Sequence, residues 1–309
     1  GTCNLNGNIS GSGALVKATS AGVLRLAGNN TFTGEMRLDS GGVLELASNT
    51  ALGAGQFNIN GGTNTITVNG DYSLSNNIRL NVSSLVAGTG NLTFSGNMQL
   101  TGGDRRLTAN NSVLTFSGTI SGDNGDNRRL VLDGAAEIQL LGPSTLNAST
   151  SFENAGTGVR TLGHSQCIGF GKFYINGGSG EIRSAVPGLV LDCGFDINSN
   201  VTFGGSNNFG FNGYSKVVGG DRTITVNPGL TITLASLGQE NPGANRALTK
   251  AGTGTLVITG GTSFTKSFTI SAGTVRLAQG GSLGSVNTSP SPIGGMNSPG
   301  VIVSAGATL

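Results

Sequence analysis

The sequence predicts an all-β chain wound as a right-handed parallel β-solenoid, a β-helix with coils of about 20 residues. Three observations lead there: apolar residues alternate in short runs, Gly and Asn separate those runs, and the chain copies itself at long range. The runs come in order as Val23-Leu-Arg-Leu26, Gly42-Val-Leu-Glu-Leu46, Asn64-Thr-Ile-Thr-Val68, Thr223-Ile-Thr-Val226, Gly229-Leu-Thr-Ile-Thr-Leu234 and Gly273-Thr-Val-Arg-Leu277. Each has the period of two that puts one set of side chains inward and the other outward. Recurrences fall roughly 17 to 25 residues apart, enough for two or three strands with tight corners, where Gly and Asn accept positive φ. No segment shows helical spacing of Glu, Lys, Arg and Ala. An antiparallel sandwich would use similar strands but would not predict the copying.

The copying is specific. Phe57-Asn-Ile-Asn-Gly-Gly-Thr-Asn-Thr-Ile66 returns as Phe173-Tyr-Ile-Asn-Gly-Gly-Ser-Gly-Glu-Ile182, an offset of 173 − 57 = 116. Gly102-Gly-Asp-Arg105 returns as Gly219-Gly-Asp-Arg222, an offset of 219 − 102 = 117. Leu15, Lys17, Phe32 and Gly42–Ala47 correspond to Leu248, Lys250, Phe264 and Gly273–Ala278, about twice that distance away. A single solenoid over 1–309 is therefore expected, with long units at 13–128 and 129–245 and a half unit at 246–309.

Composition narrows the function. The chain of 309 residues has 55 Gly, yet 36% of it is hydrophobic and 10% charged, so it has material for a core. A formal net charge of +2 with no Lys/Arg stripe gives no sign of a nucleic-acid partner. No run approaches the ~18–20 apolar residues of a membrane-spanning helix, and membrane insertion is not expected. The opening residues have neither a basic nor an apolar signal region and no initiator Met, so the chain is expected to be an excised or mature segment.

Leu5-Asn-Gly-Asn-Ile-Ser-Gly-Ser-Gly-Ala-Leu15 with Lys17, Gly22–Leu26, Asn30–Gly34 and Gly42–Leu46 resembles the autotransporter-associated β-strand repeat. Leu248–Ile258, Gly261–Phe264 and Ser271–Leu277 resemble it again, and a decayed copy runs from Gly118 to Leu140. The resemblance implies a passenger region of a bacterial autotransporter or related giant surface protein, hence an extracellular or cell-surface location. It implies a β-helix and a stalk, transport or folding role rather than an activity.

The raw material for catalysis is thin. His164 and Cys167 can be drawn as base and nucleophile, but a loop histidine near a structural cysteine is the simpler reading. Asp104 and Asp221, in the repeated Gly-Gly-Asp-Arg, are about five or six coils apart, too far to share one glycosidic bond. They are expected to be turn residues, with Asp accepting backbone hydrogen bonds and Arg exposed. Asp123 and Asp126 superficially resemble a calcium loop but lack the required spacing. Cys167 and Cys193 lie one coil apart, as a disulfide or as two buried thiols, leaving Cys3 over. Glu240 with Arg246 in 236–247, and the Pro- and Ser-rich stretch 285–299, are the loops available to a glycan-binding or carbohydrate-active module. No cofactor is expected.

The expected function is a non-enzymatic extracellular scaffold, a surface stalk, adhesin passenger or filament subunit; the alternative is a carbohydrate-active or glycan-binding β-helix. Neither end reads as a cap, so homotypic head-to-tail contacts or continuation of a longer chain are expected. Cell-surface or matrix glycans are the possible ligands.

Overall fold

The alternating runs form strands that stack on copies of themselves. The computed structural model describes residues 1–177, 180–241, 243–278, 281, 283 and 301–309. Within one turn the chain lays down a first, a second and a third face, as in Asn64–Val68, Tyr72–Leu74 and Ile78–Leu80. The next turn repeats them as Ser84–Gly88, Leu92–Phe94 and Met98–Leu100, each strand parallel to its predecessor. About 12 turns form the solenoid, and no described residue is helical. That is fewer than 309 residues in 20-residue coils would give, because most turns are longer than 20 residues. The register advances from 19 residues (Thr255 beside Thr274) to 26 (Arg222 beside Leu248) per turn, apart from the last pairings, Phe268 with Val301 and Thr274 with Thr308.

The three faces differ in regularity. In the first turns the second face has no strand; arcs there stack through single backbone bonds such as Thr31 N–H to Ile9 O, 2.8 Å, and Ala54 N–H to Phe32 O, 2.8 Å. The third face is a six-stranded sheet ending at Ile120–Gly122. Beyond it Gly142-Pro-Ser144 replaces a strand, since Pro has no N–H for the ladder. Stacking continues there through Ser144 N–H to Gln166 O, 2.9 Å, and Asp192 N–H to Ser165 O, 3.1 Å. The third face then re-forms at Leu189–Leu191 and merges with the first in the long strands Phe209–Val217 and Thr231–Gln239.

Inward side chains form ladders one turn apart. Leu74, Phe94, Phe116, Leu140 and Leu162 stack on the second face, all at most 3% exposed, with Phe94 and Phe116 rings 5.8 Å apart. Each such side chain contributes about 1.5–3 kcal/mol on burial.

Cations occupy corners of this core. Lys250 is fully buried and donates to Gly252 O at 2.7 Å in its own turn and Ala272 O at 3.0 Å in the next. Lys17, its counterpart in the long-range copy, donates to Thr19 O at 2.5 Å and to Gly41 O of the next turn at 3.4 Å. Burial without a carboxylate partner pushes the Lys250 ammonium down to about 8. The unfolded chain, at about 10.4, binds a proton in the window between these values that the folded chain does not. Stability is therefore expected to rise with pH from about 8 towards about 10, the penalty being fully present below. Melting points from pH 7 to 10.5 test this, because Lys250→Met should lower stability at pH 10 yet flatten that rise.

The long-range copy does not return to the same face. Phe57, Ile78, Met98 and Ile120 stack on the third face, followed by Ser144 and then by the 166–167 turn. That is five turns, and the next strand, Lys172–Ile175, carries Phe173 on the first face. Likewise Gly102–Arg105 turns the chain from third face to first, whereas Gly219–Arg222 turns it from first to second. The 116–117-residue unit is thus five turns plus one strand, and each copy sits one face further round the rod.

Candidate functional site

The repeated polar residues build the same staple twice. At the first copy Asn60 donates to Asp39 at 2.7 Å and Asn81 to Asn60 at 2.5 Å; Thr101 then bonds Asn81, and Arg105 donates to Thr101 O. At the second, Asn176 donates to Glu153 at 2.8 Å, Asn198 to Asn176 at 2.7 Å, and Arg222 to Asn198 at 3.4 Å. Asp104 accepts the Arg129 N–H at 2.9 Å and Asp221 the Ala247 N–H at 2.9 Å, each from the following turn. The Asp of Gly-Gly-Asp-Arg therefore behaves as its sequence predicts. Its Arg does not: Arg105 and Arg222 are half-buried, and each guanidinium is folded back onto corner oxygens. Asp104 and Asp221 stand at different corners as well as on distant turns.

The acid that follows is also part of the staple. Asp123 accepts the Gly102 N–H at 2.7 Å and pairs with Arg128, whose hydrogen bond holds the carboxyl below its usual range. Asp126 accepts the Gly122 N–H at 2.6 Å and sits at φ 65° in the same tight loop. Glu240, 117 residues beyond Asp123, pairs with Arg246 at 2.5 Å, and Arg246 likewise pulls its carboxyl down. Both carboxylates of the calcium-like loop thus have protein donors. Among the described residues no three His, Cys, Asp or Glu side chains gather as metal ligands. Stretch 285–299 lies outside the described residues.

His164 Nδ1 accepts the Gln166 N–H at 3.1 Å, and its carbonyl accepts the Cys167 N–H at 3.0 Å. Cys167 and Cys193 are free buried thiols on adjacent turns, and burial pushes each up to about 12, far from a thiolate nucleophile. Cys3 is a free, exposed thiol.

A cluster not read from the sequence stands on the outside of the first face. Glu153, Tyr174, Asp196 and Lys216 occupy one outward column on four consecutive turns. Glu153, 6% exposed, pairs with Arg129 at 2.9 Å; Asp196, 8% exposed, pairs with Lys172 at 3.0 Å and Lys216 at 3.6 Å. Burial, then the charges of Asp196 and Glu153, raise the Tyr174 hydroxyl above its usual range. The signal was the spacing of 21, 22 and 20 residues, one turn each, which a search for adjacent motifs passes over.

Residues 18–46 and 248–277 match the passenger-associated-transport-repeat. Over 206 residues, 61% of this chain, the sequence is 30% identical to the adhesin BmaC autotransporter of Brucella suis biovar 1 (strain 1330). The chain spans 6% of the length of that curated relative. No solved structure matches it significantly. The chain accordingly carries autotransporter passenger repeats in a parallel β-solenoid.

Proposed function

We propose that this chain, a β-solenoid segment carrying autotransporter passenger repeats, is a surface-exposed adhesive module that acts by binding rather than by catalysis. The observation that carries the reading is the division of labour among its polar residues. The copied Asn60 and Asn176, Asn81 and Asn198, Asp104 and Asp221, and Arg105 and Arg222 hold corners and turns together, while the uncopied Tyr174, Asp196, Tyr214 and Lys216 face outward on the first face. Similarity to an adhesin over 206 residues supports the same reading. A glycan-cleaving role needs a carboxyl able to donate a proton near neutral pH. Glu240, the loop acid best placed by sequence, is instead kept ionised beside Arg246. Display on a non-adherent bacterial carrier tests the proposal: carriers bearing the chain are expected to attach to cultured mammalian cells more than bare carriers, and equal attachment contradicts it.

A further inference from the structure

Both aromatic side chains that stand exposed among the described residues lie beside the outward cluster. Phe170 is 68% exposed, two residues before Lys172, and Tyr214 is 45% exposed, two residues before Lys216. The Tyr214 ring is laid across the following turn, its hydroxyl donating to Gln239 O at 3.3 Å. Gly238 makes room for it, since a Cβ there would fall 2.2 Å from that hydroxyl oxygen. The Lys172 ammonium, tied to Asp196, sits 5.5 Å from the ring centroid and fixes the ring further. The result is a held aromatic surface flanked by donors and acceptors whose own pairings fix their directions.

The internal copy provides a control. The column Tyr174, Asp196, Lys216 corresponds to Asn58, Arg79, Gln99 on the third face, with the same register between turns. Tyr214 corresponds to Asn97, and Lys172 to Gln56. The inward partners stay apolar at Phe57 and Phe173, and at Ile78 and Phe195. The scaffold is common to the two places, and the aromatic and paired-charge surface belongs to one of them.

We propose that this patch, centred on Tyr214, Tyr174 and Asp196, binds a neutral oligosaccharide; the proposal rests on the adhesive reading and names its ligand class. Sugar rings present C–H faces that stack on an exposed aromatic and hydroxyls that meet fixed polar groups. The charges here are balanced, Arg129, Lys172 and Lys216 against Asp104, Glu153 and Asp196, which disfavours a strongly anionic ligand. Strand addition by a peptide is not available on this face, because neighbouring turns already use its backbone groups. Successive turns repeat the polar groups at about 4.8 Å, suited to contacts with successive sugars of an extended chain.

The test is retention of the purified chain on an array of neutral, carboxylated and sulfated oligosaccharides, followed by titration of the best-retained one. Neutral oligosaccharides are expected to bind, and Tyr214→Ala to weaken binding about tenfold with an unchanged circular dichroism spectrum. Asp196→Asn, which keeps the side-chain shape, should weaken it too, and Asn97→Ala in the other copy should not. Failure to retain any neutral oligosaccharide, or unchanged affinity in both Tyr214→Ala and Asp196→Asn, overturns the site. Carrier attachment that survives enzymatic removal of cell-surface glycans also overturns it, leaves the adhesive reading standing and points to a protein partner.

Discussion

Phe195→Ala is expected to destabilise the middle of the rod by about 3–5 kcal/mol. Phe195 is fully buried, and its ring meets Phe211 edge-on at 4.6 Å and Phe203 at 5.6 Å, with Phe173 stacked on the turn before. Truncation leaves a cavity that these rings cannot close, because each is fixed by its own strand. A solenoid contacts only neighbouring turns, so the damage should be local. Hydrogen exchange is expected to accelerate across 172–226 and remain slow across 64–100. Phe170→Ala, at an exposed site, should change stability by no more than about 0.5 kcal/mol. Equal effects of the two substitutions would mean that Phe195 is not in the core.

Gly88→Ala is expected to cost more than about 3 kcal/mol. Gly88 has φ 111°, a conformation that costs a residue with a side chain about 1–3 kcal/mol. A Cβ there would also stand 2.0 Å from Val68 O, a backbone atom fixed in the preceding turn. Relief requires the two turns to separate, which breaks the ladder between Asn64–Val68 and Ser84–Gly88. Gly13→Ala, with open space around the added methyl and no positive φ, should be neutral or slightly stabilising. Denaturant midpoints of the two variants check this prediction, which fails if they fall together.

The strand faces were legible because alternation is a local property: runs such as Asn64–Val68 and Arg222–Val226 carry the pattern within five residues. The early second-face arcs and the strand-free third face near Gly142-Pro-Ser144 were not, since one backbone bond per turn leaves no periodic trace in sequence. The 116–117-residue offset was also legible, but its meaning needed the strand count. An offset in residues cannot distinguish a whole number of turns from five turns and one strand when turns vary from 19 to 26 residues. For the same reason the acids Asp123 and Glu240 looked like separate candidates, one for calcium and one for glycans. In three dimensions they play the same part, each carboxylate held ionised by a nearby arginine, Asp123 by Arg128 and Glu240 by Arg246. The outward column escaped because its members are a turn apart and share no motif; stacking alone brings Glu153, Tyr174 and Asp196 together.

On the function proposed above, copied residues hold the rod together while one uncopied surface does the binding. The most direct measurement is carrier attachment by a variant whose outward residues are exchanged for those of the other copy: Lys172→Gln, Tyr174→Asn, Asp196→Arg, Tyr214→Asn and Lys216→Gln. The same residue types already stand on the same ladder at Gln56, Asn58, Arg79, Asn97 and Gln99, so the fold should survive. An unchanged β-sheet spectrum and attachment reduced to that of the bare carrier are expected. Attachment equal to the parent chain, in a variant that remains folded, would contradict that function.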